Sequence, residues 1–443
     1  MGKTVYVLGA GFSTLAKLPP QADIINRIFS PTTEQFMSNK ILIKTITRFE
    51  NARKNIAKFL LTLFSNQSIE KFAAEKIGNS LDELSPSERE EVFNALAEDL
   101  SFWQEIYKFI REKLSGVTLE DIFTILDKAV VSNEHIQGYN LSKIIALRED
   151  IIFCIIRLFV AELSDYKYDT SVYIEFVKKI LNLRFKEGQE KDPVSIITLN
   201  WDALLDIYFN EVIKTDKKYE NARLDYCIYD YEYDHFCEKK GEEKPIPSTL
   251  LKNLNYFNIK YIKLHGSMNW LICKNCRRLF YSVDEYIALK EFEKNSPQCP
   301  FCKENYSSIS NDDQTNLKSE LITPTLIKNL DNVNFKSMWK NAFVELSEAD
   351  KIVFIGYSLP QADFELRYML KKSIKPNTEI EVVLYLYDDP DRLNTYLKDE
   401  EGIRLYNSLA GNFAGTRFTS FFGGEQIKFY YEGLESYVSD YME

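Results

Sequence analysis

The chain has 443 residues, 45% of them hydrophobic, which is enough for several domains of roughly 100–200 residues with buried cores. Its net charge of −11 excludes a protein surface that is basic overall and would attract nucleic acid through most of its area. The first residues lack the apolar core of a signal peptide, and the longest apolar stretch, Ile151 to Leu163, is shorter than the roughly 20 residues that span a bilayer. We therefore expect a globular cytoplasmic protein with no membrane segment and no direct nucleic-acid site.

The first predicted element is a short strand of β-branched and apolar residues, Thr4 to Leu8. It ends at the sequence GAGFS, residues 9–13, and such a turn followed by a helix lets backbone N–H groups approach a pyrophosphate. The third glycine of the dinucleotide fingerprint is missing, and a simple tight turn would need the same glycines. Taken alone, this segment leaves nucleotide binding and a plain turn equally open.

From residue 31 to 190 the pattern becomes helical and poor in glycine. A capping box begins at Ser85, and apolar residues then recur at helical spacing until Leu114, which predicts an amphipathic helix of about eight turns. A second helix is predicted from Thr118 and a third, apolar on all sides, from Ile144 to Leu163. We interpret this region as a helical insertion whose apolar stripes belong to a core rather than to a ligand site.

Runs of β-branched and aromatic residues return after Pro193. They predict four further strands: Val194–Leu199, Tyr261–Leu264, Lys351–Ile355 and Glu379–Tyr387. Strands that are apolar on both faces and separated by helical stretches indicate a parallel sheet, and ligands of such sheets bind beyond the carboxyl ends of the strands. The strand ends read GAGFS at 9–13, TLNWD at 198–202, LHGS at 264–267 and GYSL at 356–359. These small and polar residues are the expected lining of one crevice.

Four of the seven cysteines form two CxxC pairs, Cys273/Cys276 and Cys299/Cys302, separated by about 22 residues. Two turns that each carry two thiolates supply the four soft ligands that tetrahedral Zn²⁺ needs. The alternative is four unrelated thiols. We expect a zinc-binding module at residues 268–310. The other cysteines have no such spacing: Cys154, Cys227 and Cys237.

Together, these motifs resemble those of the sirtuin superfamily and, more closely, its divergent bacterial SIR2-like branch. GAGFS is similar to the GAG-x-S of sirtuins, TLNWD to their Thr-Gln-Asn-Ile-Asp, KLHGSMNW to their catalytic His-Gly, GYSL to their Gly-Thr-Ser, and the paired CxxC to their zinc module. FIGYSLPQAD and Trp270 resemble the SIR2-like branch specifically. The similarity covers about residues 1–25 and 191–390.

The resemblance implies an α/β fold, a sirtuin-like Rossmann parallel sheet with a zinc-ribbon module and a large α-helical insertion. Residues 1–30 and 191–443 would form the NAD-binding core with a C-terminal extension, 31–190 the helical insertion and 268–310 the zinc-binding module.

The resemblance also implies roles for individual residues. Asn200 would hold the nicotinamide ribose and the attacking water, Asp202 would contact the carboxamide, and His265 would be the base. The residues implied in binding the NAD dinucleotide are Gly9, Ala10, Gly11, Ser13, Thr198, Gly356 and Ser358. Other readings of two residues stay open, because His265 can be an imidazole bonded to backbone and Asp202 can cap a helix that begins at Ala203.

The sequence departs from the deacetylases of the superfamily after the glycine turn. Those enzymes carry a loop with Asp-Phe-Arg-Ser, whose phenylalanine shields the ribose from water, whereas here Ser13 is followed by TLAKLPPQADI. The resemblance therefore implies an NAD⁺ glycohydrolase (NADase) that cleaves NAD⁺ to nicotinamide and ADP-ribose, and a role in anti-phage defence by NAD⁺ depletion. The bond to nicotinamide breaks through an oxocarbenium-like state, which needs ribose positioning and a proton acceptor.

Two other functions stay open. One is an NAD-dependent protein deacylase or ADP-ribosyltransferase, and the intact cysteine quartet is a deacetylase-like trait. The other is a non-enzymatic sensor of NAD or ADP-ribose in a defence assembly. The resemblance implies a homo-oligomer and a HerA-type hexameric ATPase as partner; the alternative is a monomer in which the insertion is only a second packed domain.

Overall fold

The structure is a computed structural model. The residues it describes are 2–30, 40–64, 100–114, 116–164, 169–186, 191–233, 257–283, 287–292, 297–305, 315–328, 330, 332–384, 414–423 and 427–442. The capping box predicted at Ser85 and the cysteine at position 237 lie outside these ranges.

The strands of the described residues fall into two sheets. They are β1 Thr4–Leu8, β2 Val194–Thr198, β3 Ala222–Asp225, β4 Asp230–Glu232, β5 Phe257–Lys263, β6 Trp270–Cys273, β7 Leu279–Tyr281, β8 Leu317–Lys318, β9 Lys351–Ile355, β10 Glu379–Val383 and β11 Ile427–Tyr430. The larger sheet has seven strands in the order β11-β10-β9-β1-β2-β5-β3, and all its pairs are parallel. The predicted parallel α/β sheet is confirmed.

Helices flank the sheet and form the insertion. They are α1 Ile24–Phe29, α2 Lys40–Lys44, α3 Ile46–Phe64, α4 Leu100–Lys113, α5 Leu119–Ser132, α6 Leu141–Ser164, α7 Ser171–Lys186, α8 Leu204–Thr215, α9 Pro300–Asn305, α10 Val333–Glu348, α11 Phe364–Ser373, α12 Ala414–Phe422 and α13 Gly433–Asp440. In α7, Phe176 meets Tyr6 of β1 edge-on, with ring centroids 5.7 Å apart, so this helix covers one face of the central strand. Among the described segments, none of the helices combines the length and apolar character that crossing a bilayer requires.

Two of the three helices predicted for the insertion lie wholly within the described residues. The helix predicted from Thr118 is α5, and its capping box is formed by Thr118 and Asp121, each bonding the backbone N–H of the other. The third predicted helix is α6, which has 24 residues and packs against α3 and α5. Buried side chains of these helices and of the large sheet belong to one continuous hydrophobic cluster. The insertion therefore packs onto the sheet and shares its core.

The segment after the glycine turn differs from the expected α-helix. Residues Ala10–Ala16 form a 3₁₀-helix, which ends at Lys17 in a left-handed backbone conformation. The sequence Leu18-Pro19-Pro20 follows, and a proline disfavours the α conformation of the residue before it. Tyr173 of α7 secures the short helix, because its hydroxyl donates to Phe12 O and accepts from Ala16 N.

The smaller sheet has the order β4-β7-β6-β8 and carries the cysteine pairs. It has its own hydrophobic cluster, which includes Leu271 and Phe280. Two of its strands, Asp230–Glu232 and Leu317–Lys318, lie outside residues 268–310. Only the centre of this module is therefore continuous in the chain.

Candidate active site

A cavity of about 490 Å³ opens at the carboxyl ends of β1, β2, β5 and β9. In the sheet, β2, β5 and β3 lie on one side of β1, while the strands that come later in the chain, β9 to β11, lie on the other. The cavity therefore lies at the point where the strand order reverses, which is where open parallel sheets bind ligands. Nine predicted site residues line it: Gly9, Ala10, Gly11, Ser13, Asn200, Asp202, His265, Gly356 and Ser358.

The two glycine segments of this cavity touch through their backbones. Gly11 N donates to Gly356 O at 2.8 Å. Gly356 has a φ of +60°, and a Cβ atom built on it would lie 2.1 Å from Phe12 N; one built on Gly9 would lie 2.6 Å from Tyr357 Cα. Close approach between two chain segments therefore requires these glycines whether or not a pyrophosphate binds.

Ser13, Asn200 and Asp202 form one hydrogen-bonded group. Ser13 Oγ donates to Asp202 Oδ2 at 2.8 Å and accepts from Asn200 Nδ2 at 3.1 Å. Asn200 Nδ2 also donates to Gly9 O at 2.9 Å, which ties the end of β2 to the glycine turn. Thr198 does not line the cavity; its hydroxyl accepts from Asn200 N at 3.1 Å. The amide nitrogen of Asn200 is thus occupied by protein contacts, and its carbonyl oxygen is the atom left for a ligand.

Asp202 lines the cavity and also contacts the start of a helix. The described helix begins at Leu204, and Leu204 N donates to Asp202 Oδ1 at 3.1 Å. Burial raises the pKa of Asp202, while Lys263, Ser13 and the Leu204 N–H oppose that rise. The side chain of Asp202 thus has two roles in the structure: it lines the cavity, and it contacts the first turn of α8.

Lys263 contacts Asp202 in a charged cluster that no sequence pattern predicts. Its buried ammonium donates to Asp202 O at 2.7 Å and to Asp206 Oδ2 at 2.8 Å. Asp206 Oδ1 also accepts from the Tyr226 hydroxyl and from Asn269 Nδ2. This cluster holds the Asp202 backbone in place from the side away from the cavity.

His265 is buried, and its Nε2 atom has no hydrogen-bond partner among the described residues. Burial lowers the pKa of His265 to about 4; the charge of Lys328 adds to that effect, and Asp363 and a hydrogen bond with the Leu199 backbone oppose it. The imidazole is therefore neutral near pH 7. A neutral ring whose other nitrogen is bonded to backbone offers Nε2 as a proton acceptor.

A second carboxylate on the cavity wall, Asp363, was not predicted as a site residue. Its Oδ1 lies 3.8 Å from His265 Nε2 and accepts from Lys328 Nζ at 2.6 Å. Its Oδ2 accepts from the Tyr357 hydroxyl at 3.1 Å. The motif FIGYSLPQAD contains Asp363 and Tyr357. Lys328 stands in a segment without any recognisable motif.

The helical insertion also reaches the cavity. Thr118, Leu119 and Glu120, at the start of α5, and Phe159 of α6 line it. Gln21 Nε2 donates to Glu120 Oε1 at 3.0 Å, and burial raises the pKa of Glu120. Phe159 lies on a stripe that the pattern placed in the core, and the structure puts it on a ligand-sized cavity as well.

The four cysteines of the two CxxC pairs lie together. Cys273 Sγ and Cys302 Sγ are 3.7 Å apart, as are Cys276 Sγ and Cys299 Sγ, and all four sulfur atoms lie within 4.8 Å of one another. Four sulfur atoms at about 2.3 Å from one zinc ion would be about 3.8 Å apart in a tetrahedron. Asn275 Nδ2 also donates to Cys302 Sγ at 3.4 Å. The donor set and its spacing therefore fit a metal ion such as Zn²⁺.

No protein-family model matches the chain, and no curated protein matches it. Among solved structures it is similar to Sir2Tm bound to a propionylated peptide and to a Sir2–p53 peptide–NAD⁺ complex, each with 12% identity and 92% of both chains covered, at TM-scores of 0.29 and 0.30. A Sir2 homolog–NAD complex is similar over 86% of this chain and 77% of its own, with 12% identity and a TM-score of 0.27. These scores are below 0.5, so the fold assignment depends on the strand order and the site geometry.

Proposed function

We propose that the protein is an NAD⁺ glycohydrolase of the SIR2-like class. The observation that carries this proposal is the convergence of Asn200, Asp202 and His265 with the glycine turn on one cavity at the reversal point of a parallel sheet. In this proposal, the backbone N–H groups of Gly9 to Ser13 lie against the pyrophosphate, and Gly356 and Ser358 contact the dinucleotide further along. Thr198 acts through Asn200, since its hydroxyl accepts the Asn200 N–H.

The proposed reaction consumes NAD⁺ and water and releases nicotinamide, ADP-ribose and a proton. The C1′–N bond breaks and its electron pair stays on the nicotinamide nitrogen, while a water oxygen forms the new bond to C1′. The ribose carries positive charge in between, as in glycoside hydrolysis. Asn200 Oδ1 positions the ribose or the water, and His265 Nε2 accepts the proton.

The electrostatics of the site support these roles. A base must be unprotonated before the reaction, and a pKa of about 4 keeps His265 in that form near pH 7. Asp202, fixed by Ser13 and the start of α8, offers a carboxylate to the nicotinamide carboxamide.

The wall of the cavity after the glycine turn favours hydrolysis over deacylation. Pro19, Pro20, Gln21 and Ala22 line it there, and this segment places no aromatic ring on the cavity. A ribose that lacks an aromatic shield from this loop is open to water, which then competes with an acyl-lysine. The start of α5 lies on the same side and narrows the space for a peptide.

Purified protein incubated with NAD⁺ alone tests the proposal. We expect nicotinamide and ADP-ribose in equal amounts, separated by chromatography, and no further product when an acetylated peptide is added. Consumption of NAD⁺ only with acyl-lysine, with O-acyl-ADP-ribose as product, would identify a deacylase. Binding of NAD⁺ without consumption would identify a sensor.

The biological role that we propose is anti-phage defence by NAD⁺ depletion, with the chain as a homo-oligomer beside a HerA-type hexameric ATPase. It is supported by the resemblance of the motifs, and an enzyme that destroys NAD⁺ needs such control. Mass measurement in solution, followed by NAD⁺ assays with and without the ATPase, tests it. A monomer with full activity by itself would contradict it.

A further inference from the structure

Asp363 occupies a position on the cavity wall that the proposed reaction does not yet use. Its carboxylate is mostly buried and is oriented from two sides, by Lys328 at Oδ1 and by Tyr357 at Oδ2. The residue precedes α11, so it is carried by the turn that leads from β9 into that helix. A side chain with two fixed partners keeps one orientation toward the cavity.

The buried charge of Lys328 is the energetically unfavourable part of this arrangement. Its side chain is completely buried, and burial of an ammonium group is strongly unfavourable unless a well-placed carboxylate compensates it. The carboxylates that it meets among the described residues are Asp363 at 2.6 Å and Glu365 at 3.6 Å. A buried ion pair is weak evidence for stability, and a pair on a cavity wall suits a positioned ligand contact instead.

Two acceptors lie side by side at this point of the cavity. The 3.8 Å between Asp363 Oδ1 and His265 Nε2 is too long for a hydrogen bond, so neither atom satisfies the other. In its neutral form Nε2 is an acceptor, and it has no partner among the described residues. Asp363 Oδ1 already accepts from Lys328 and has a second lone pair, so the two neighbouring acceptors fit a ligand with two neighbouring donors, such as the adjacent hydroxyls of a ribose.

We propose that Asp363 binds the nicotinamide-side ribose of NAD⁺ together with His265, each accepting a hydrogen bond from one of two adjacent hydroxyls, and that Lys328 is the positioning residue for Asp363. This inference rests on the proposed function and extends it to the substrate's sugar: the hydroxyl bonded to His265 Nε2 passes its proton to that atom and takes up the proton of the attacking water. A carboxylate hydrogen-bonded to the ribose would also stabilise the positive charge that develops on that sugar. A sugar without one hydroxyl leaves a buried acceptor unpaired and is bound poorly.

Calorimetric titration with two ligands tests the inference. ADP-ribose carries the second ribose, and ADP carries the same adenosine and both phosphates without it. Because a hydrogen bond to a charged group contributes more than a neutral one, Asp363→Asn should weaken ADP-ribose binding by about 10- to 100-fold and leave ADP binding unchanged. The matched control is Glu365→Gln, which removes the other acid near Lys328 from a residue that does not line the cavity, and should change neither ligand.

Two further variants separate positioning from folding. Lys328→Met should also weaken ADP-ribose selectively, whereas a merely structural role would lower the melting temperature and weaken both ligands alike. The double variant Asp363→Ala with Lys328→Met removes both members of the 2.6 Å ion pair, so it provides the test if the single variants fold poorly, with the same selective loss expected.

The outcomes distinguish the two proposals. Equal weakening of ADP-ribose and ADP, or no change of either, in a folded Asp363 variant overturns the ribose assignment and leaves the glycohydrolase proposal intact. Wild-type protein that binds neither ligand and releases no nicotinamide overturns both.

Discussion

The cavity and the four-cysteine site both contain polar side chains, but these side chains come from distant parts of the chain in the cavity and from one short segment in the cysteine site. The cavity takes its residues from the ends of four parallel strands and from the helical insertion, between Gly9 and Ala414 in the chain. The cysteines all come from residues 273–302. The first arrangement exists only when the whole sheet is assembled, whereas the second follows from turns that are close together in the chain.

The two regions also differ in what holds their polar atoms. In the cavity, Ser13, Asn200 and Asp202 bond to one another across almost 190 positions of the chain. In the cysteine site the sulfur atoms mainly face other sulfur atoms. Substitutions in the cavity should therefore mainly lower activity, and substitutions in the cysteine site should mainly lower stability.

Removal of zinc should give the largest effect. We expect one zinc ion per chain, and structural zinc sites contribute apparent free energies of about 10–16 kcal/mol in small domains. A strong chelator or Cys302→Ser should therefore unfold the smaller sheet, as seen in calorimetry alongside elemental analysis. Cys227→Ser, outside the quartet, should retain the metal, and metal-free protein with wild-type stability would contradict the site.

Asn200→Ala and His265→Ala should each lower NAD⁺ turnover by about 10² to 10⁴ while the melting temperature changes little, because loss of a positioned acid or base costs that much in rate. Nicotinamide release measures the effect. His135→Ala is the control, since His135 is exposed and does not line the cavity. Near wild-type turnover of His265→Ala would contradict its role as the base and would indicate a mechanism in which Asn200 positions the water.

Gly356→Ala should destabilise the protein by about 4 kcal/mol, because a Cβ there meets Phe12 N at 2.1 Å and the residue has a φ of +60°. Gly138→Ala is the matched change at a position with open space around it, where we expect less than about 0.5 kcal/mol. Denaturant titration compares the two. Equal stability of both variants would contradict the close contact between the two glycine segments.

The smallest expected effect concerns pH. His265 has a pKa of about 4 in the folded protein and an ordinary value of 6.5 when unfolded, so the unfolded chain binds more protons between these values. The contribution of this residue is fully present above pH 6.5 and is lost as the pH falls toward 4, by up to about 3 kcal/mol. The difference between wild type and His265→Gln in thermal unfolding isolates it; parallel curves at all pH values would contradict a buried neutral histidine.

Much of the framework follows from the sequence. The apolar runs at β1, β2 and β9 predict strands of a parallel sheet because such strands are buried on both faces. The small and polar residues after them predict which ends meet at the cavity, and the sequence from Thr118 predicts where α5 begins. The CxxC spacing predicts the cysteine cluster because turn geometry is local.

Other features depend on the tertiary structure alone. Lysine is rarely buried, and nothing in the sequence indicates that Lys263 and Lys328 are. The 3₁₀-helix after the glycine turn depends on Tyr173, a residue more than 150 positions away. The sequence by itself determined five strands of the large sheet, the polar ends of four of them and the cysteine pairs, because these depend on neighbours in the chain. Only the folded chain decided that Lys328 holds Asp363 beside His265, because packing between distant segments sets that contact.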